Sequence, residues 1–158
     1  MDSDGSLATS RAAEAEGVVK QHMWIAAGVS LVPVPIVDIA LVMGVHLNMV
    51  RSLAERYGTP FSADIGKSLI ASIVGGTLAG PAASLAKLVP VVGSLVSAVS
   101  LPLLAGASTY AIGKVFIQHF ESGGTFLTLD PEKVRGYYAR QFAQGKAEVS
   151  RGYAGVRP

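Results

Sequence analysis

From residue 68 to residue 122 the chain carries only three charged side chains, Lys87, Lys114 and Glu121. Burying an unpaired charge is costly, so a segment this long with so few of them is built to leave water, either inside a protein or in lipid. The bias extends to all 158 residues, of which half are hydrophobic and 15% charged, against roughly 25% charged in ordinary globular domains. The length suits a single domain with a sizeable core. A net charge of +2 and the absence of a dense basic run argue against nucleic acid as a partner. Cysteine is absent, which excludes disulfides and thiolate metal sites and fits a reducing compartment. The start, Met1-Asp2-Ser3-Asp4-Gly5, is polar and acidic where a secretory signal is basic and then apolar. Residues 1–12 are therefore expected to be a disordered tail.

Prolines and glycines divide this apolar chain. Between residues 23 and 50 Asp38 is the only formal charge, and Pro33-Val34-Pro35 interrupts the run. Proline disfavours helix in the residue before it and suits the first turn of a new helix. A first helical hairpin is thus expected over residues 13–57, turning at Pro33 and Pro35 and stopped by Gly58-Thr59-Pro60. A second hairpin is expected over residues 63–121, capped by Ser62 and turning at Pro90 and Gly93. Its turn sequence, Leu88-Val89-Pro90-Val91-Val92-Gly93, echoes Leu31-Val32-Pro33-Val34-Pro35 and suggests a weak internal duplication. Pro81 and Pro102 are expected to kink its arms.

Ser122-Gly123-Gly124 closes the second unit, and Asp130-Pro131-Glu132 is a helix start with a capping residue followed by proline. The helix expected over residues 131–150 is amphipathic, with Val134, Tyr137, Tyr138, Phe142 and Val149 at helical spacing; residues 151–158 form a tail. No segment alternates with a period of two. The expected fold is therefore all-α, a single helical domain over residues 13–150 made of two apolar hairpins and a C-terminal amphipathic helix, embedded in a membrane.

A bilayer span needs roughly 20 apolar residues. The arms of the second hairpin reach about 18 uncharged residues, whereas those of the first are shorter, so the second is expected to span and the first to dip into lipid or pack beside it. Gly76, Gly80 and Ser84 recur every fourth residue with Gly75 alongside, a pattern that lets helices approach closely. With both hairpins inserted from one side, Lys20, Arg51, Arg56, Lys67 and Lys114 share the cytoplasmic face, as the positive-inside tendency requires.

The elements Pro33-Val34-Pro35-Ile36-Val37-Asp38, His46-Leu47-Asn48-Met49-Val50, Tyr57-Gly58, Leu88-Val89-Pro90-Val91-Val92-Gly93 and Ala111-Ile112-Gly113 together resemble the YcjF-like bacterial domain of unknown function. The resemblance covers roughly residues 17–145. It implies a membrane-associated helical domain that is fused to, or encoded beside, small GTPase domains. This chain has no Gly-x-x-x-x-Gly-Lys-Ser/Thr phosphate loop, so a GTPase would enter as a separate partner.

Little in the sequence points to catalysis. His22, His46 and His119 form no pair at metal-binding helical spacing, and no serine sits in a nucleophile elbow. No catalytic residue, metal or cofactor is therefore expected. Asp38 is read as a helix-start residue stabilised by free first-turn amides and the helix dipole, with a proton site inside the membrane as its alternative role. The expected function is a non-enzymatic, membrane-inserting scaffold that associates with itself and presents a cytoplasmic surface to a partner, a small GTPase by resemblance. Two alternatives are a small transporter or pore, with Asp38 and His46 lining a polar path, and a soluble homo-oligomeric bundle.

Overall fold

The computed structural model describes residues 2–31, 35–78 and 89–156, and within these the backbone alone of residues 2–3, 35–39, 77–78, 89–100 and 156. Five helices follow one another: α1 (Asp2–Val29), α2 (Pro35–Arg56), α3 (Ala63–Leu78), α4 (Val89–Glu121) and α5 (Pro131–Val156). No strand occurs among the described residues, so the fold is all-α as expected.

The helix boundaries follow local chemistry. At the end of α2, Gly58 takes φ +65°, and the amides of Gly58 and Thr59 donate to the carbonyls of Glu55 and Ala54, closing the helix in a Schellman motif. The end of α4 repeats this at Gly123, φ +81°, with Gly123 and Gly124 donating to Phe120 and His119. Helix α3 is capped by Ser62, whose Oγ lies 3.5 Å from the amide of Ile65. Helix α5 opens with Pro131 in its first position and Asp130 Oδ1 accepting from the Glu132 amide at 3.0 Å.

Several boundaries differ from expectation. Helix α1 begins at Asp2 rather than after residue 12. Residues 4–11 are exposed along it, and no proline interrupts the helix there. Helix α5 likewise runs past residue 150 to Val156, because Val149 and Tyr153 still find partners on α1 and α4. Pro35 is the first residue of α2, and Pro33 lies outside the described residues. Pro90 and Gly93 are not a turn: α4 starts at Val89, which places Pro90 in its first turn, where a missing amide proton costs nothing. The helix also continues through Pro102; Pro81 lies outside the described residues.

The larger correction concerns the second hairpin. Helix α4 is the centre of the bundle, packed most extensively on α1 and α5 and also on α2, while α3 lies chiefly against α5 and α2. Residues that suggested a lipid-facing arm instead form the protein core. Thr109, Tyr110, Ala111, Ile112, Val115, Phe116, Ile117 and Phe120 of α4 are all buried. Around them α1 contributes Ala15, Val18, Val19, Met23 and Ala26, a three-and-four-residue stripe of one helix face. Among the described residues no helix is long and apolar enough to cross a membrane.

Close approach is governed by glycines other than those singled out in the sequence. A Cβ on Gly145 of α5 would stand 3.0 Å from both the Cα and the carbonyl oxygen of Ala107. On α4, a Cβ at Gly113 would meet Val19 at 2.5 Å, and one at Gly106 would meet Val149 at 2.8 Å. These three glycines set how near α1 and α5 come to α4. Gly76 is also crowded, but by the guanidinium of Arg135 from α5, and Gly75 faces open space. Gly80 and Ser84 lie outside the described residues.

These contacts order a set of glycine-to-alanine variants. Gly145→Ala pushes into backbone that cannot swing aside and Gly113→Ala into a fully buried valine, so each is expected to destabilise by about 1–3 kcal/mol. Gly75→Ala meets nothing and is expected to stabilise α3 by up to about 1 kcal/mol. Urea denaturation of the three variants checks this order, and a Gly75→Ala loss as large as that of Gly145→Ala would contradict it.

Candidate functional site

The alternating directions of the helices give the bundle two unlike ends. At one, Glu14 of α1 pairs with Arg56 of α2 at 2.5 Å, Arg51 pairs with Glu55 at 3.1 Å, and Arg11 stands over the Tyr57 ring. Tyr57 donates to Glu121 at 3.0 Å. Burial and then this carboxylate push the Tyr57 pKa up to about 12. Beneath the polar layer Phe116, Phe120 and Phe126 stack with Tyr57 and Phe61 at centroid distances of 5.6–5.9 Å. The ring cluster ties the end of α4 to the loops before α3 and α5. Lys114, one of the few charges of the apolar segment, is paired with Glu16 of α1. Its pKa is raised because the hydrogen-bonded Glu16 outweighs the opposing effect of burial.

At the other end, where α1 finishes and α2 begins, large apolar side chains face outward. Trp24 and Ile25 of α1, Leu31 in the turn after it, Leu41 of α2 and Leu101 and Leu104 of α4 are all exposed, Leu31 by 67%. Trp24 meets Tyr153 of α5 edge to face at 5.8 Å. The Glu148–Arg151 ion pair of α5, at 2.5 Å, lies close by.

Between these ends, α2, α3 and α4 border an open cleft of about 370 Å³ that reaches Ser30 just after α1. Val42, Met43, Ile70 and Val74 make its walls apolar, Leu101 and Leu104 stand at its exposed side, and His46, Ser30 and Ser108 supply polar groups. His46 is buried, and its Nε2 lies 3.0 Å from Thr109 Oγ1. Thr109 spends its own proton on the Ala105 carbonyl at 2.8 Å, so its oxygen accepts from Nε2–H and Nδ1 is left as an unprotonated acceptor. No described residue donates to that nitrogen. Ser30 Oγ is buried with no hydrogen-bond partner among the described residues. Ser108 is engaged with Tyr138 at 3.1 Å.

The residues singled out in the sequence are scattered over this architecture. Asp38 falls in the first turn of α2, where a carboxylate meets free amides, but its side chain lies outside the described residues. His22 bonds the Val18 carbonyl one turn back, and His119 bonds the Thr125 carbonyl in the loop before α5, each at 2.8 Å. Among the described residues no three His, Asp or Glu side chains come together as a metal site. The grouping of His46 with Thr109 and Ser30 had no signal in the sequence, because the partners are 63 and 16 positions away and share no motif.

Burial lowers the His46 pKa from 6.5 to about 4. The folded protein therefore binds fewer protons than the unfolded chain between those values. The stability this gives is complete above pH 6.5 and is lost as pH falls toward 4, by roughly 3 kcal/mol. His46→Gln, whose amide can still donate to Thr109, is expected to remove this component. Denaturant unfolding of both proteins at pH 7 and 4.5 measures it, and parallel losses in the two would refute the assignment.

The bundle has counterparts among known proteins. It is 46% identical over 138 residues, covering 84% of this chain and 71% of the relative, to Magnetosome membrane protein 22 of Magnetospirillum gryphiswaldense. No solved structure matches it. A family model described as Domain of unknown function (DUF697) matches residues 3–147, from the start of α1 into α5, and the chain belongs to that family.

Proposed function

We propose that this protein is a non-enzymatic scaffold that attaches to a membrane through the apolar end of its bundle and leaves the charged end free for a partner. The observation that carries this reading is the gathering of exposed Trp24, Ile25, Leu31, Leu41, Leu101 and Leu104 at one end. Apolar side chains grouped this way at a rim are what a helical domain inserts into the headgroup and upper acyl region of a bilayer. Trp24 and Tyr153 suit the boundary, since their rings are amphipathic. The relative named as a magnetosome membrane protein supports the same location. Attachment by the bundle end needs no spanning helix, which agrees with the core role of α4.

On this reading the Glu14, Arg56, Arg51 and Glu55 surface faces the cytoplasm. A small GTPase is proposed as its partner on the strength of the YcjF-like resemblance. Self-association is proposed to occur on the membrane, where neighbouring copies share one orientation.

Replacing Leu31 and Leu104 together with glutamate is expected to lower binding to phosphatidylglycerol-containing vesicles at least tenfold, because two charges then face acyl chains at roughly 2.5–3.5 kcal/mol each for full insertion. Both leucines are exposed, so the thermal unfolding midpoint is expected to stay within a few degrees. Vesicle flotation measures the first and circular dichroism the second. Unchanged flotation would reject attachment through this end. A lipid-free oligomer that dissociates in the double variant would instead favour a second copy as the partner of the apolar end.

A further inference from the structure

We propose that the cavity between α2, α3 and α4 is a binding site for a single-chain apolar molecule with a neutral hydroxyl head. Its volume of about 370 Å³ falls within the range of small-molecule sites, roughly 300–1,000 Å³. The walls match an alkyl chain, with Val42, Met43, Ile70 and Val74 facing one another across helices. The head group follows from the charge and hydrogen-bond inventory. No Lys, Arg, Asp or Glu is among the described lining residues, so a carboxylate or phosphate head would be desolvated with no counter-charge. A neutral hydroxyl fits what is there. It can donate to His46 Nδ1, which the Thr109 contact holds as an acceptor, and it can accept from Ser30, whose hydroxyl has no partner among the described residues.

Two further features distinguish this cavity from a packing gap. Native interiors rarely keep a buried, unmade hydrogen bond without a use or a bound molecule, and of the three such side-chain atoms among the described residues, Ser30 Oγ, Arg135 Nε and Gln141 Oε1, only Ser30 lines this cavity. In addition, Leu101 and Leu104 line the cavity and are also exposed, so an apolar chain can enter without crossing polar surface. The inference does not depend on membrane attachment.

The test is titration of the full chain with 1-decanol, decane and decanoate in vesicle-free buffer, read by calorimetry and by thermal unfolding. 1-Decanol is expected to bind saturably at one site and to raise the unfolding midpoint, with decane and decanoate each at least about tenfold weaker, the size of one to two lost hydrogen bonds. Ala71→Phe, which adds volume at the wall, is expected to abolish binding. Ser30→Ala is expected to leave the free protein as stable as before or more so, and yet to weaken 1-decanol severalfold without affecting decane, a split that a purely structural serine would not give. The proposal is overturned if 1-decanol does not bind, if Ala71→Phe binds it unchanged, or if decanoate binds as well as the alcohol. Absence of vesicles from the assay means that such a failure leaves the membrane reading intact.

Discussion

The close contact of α4 with α1 and α5 is the constraint from which the rest of the bundle follows. Gly106 and Gly113 let Val149 and Val19 sit directly on the α4 backbone, and Gly145 lets α5 approach Ala107 at backbone distance. Once α4 is held on these sides, its apolar surface has only α2 left to meet, and α3 is left to close over α2 and α5. Packing at this density tolerates little added volume. It also explains how the described part of so apolar a helix is satisfied: from Ala107 to Phe120 its neighbours provide the apolar surroundings.

That arrangement sorts charge as well as volume. The polar ends of α1, α2 and α4 meet at the α2–α3 and α4–α5 loops, where Glu14, Arg56, Tyr57 and Glu121 satisfy one another. The opposite ends carry Trp24, Ile25, Leu31 and Leu41 into the open. Exposed ion pairs of this kind add little stability individually. The pairs formed by Glu14, Arg56, Arg51 and Glu55 gather at one end, while the His46 cleft lies beside Leu101 and Leu104 toward the other.

Much of this was legible from residues alone because the signals are local. Helix stops at Gly58 and Gly123 rest on a left-handed residue followed by carbonyl-capping amides, and the starts at Ser62 and Asp130 rest on side chains reaching nearby amides; both act within a few positions of the chain. The amphipathic stripe of α5 was equally visible. Less visible was the role of Gly75 and Gly76. A four-residue spacing of small side chains says that a helix can approach something, but not what approaches. Here Gly76 receives the Arg135 side chain and Gly75 receives nothing, while Gly113 and Gly145, without a conspicuous pattern, carry the tight contacts.

The sequence by itself determined an all-helical chain, the order and approximate limits of its helices, and a middle segment that must be shielded from water, since propensity, capping and hydrophobicity act through neighbours in the chain. Only the tertiary structure decided what does the shielding. A run of apolar residues has the same transfer energy whether it is covered by lipid or by other helices, so composition cannot separate a spanning arm from a central core helix. Nor can it bring His46 to Thr109 across 63 positions or set Ser30 on the same cavity as His46; those depend on which helices become neighbours, and that is settled by the glycine contacts on α4.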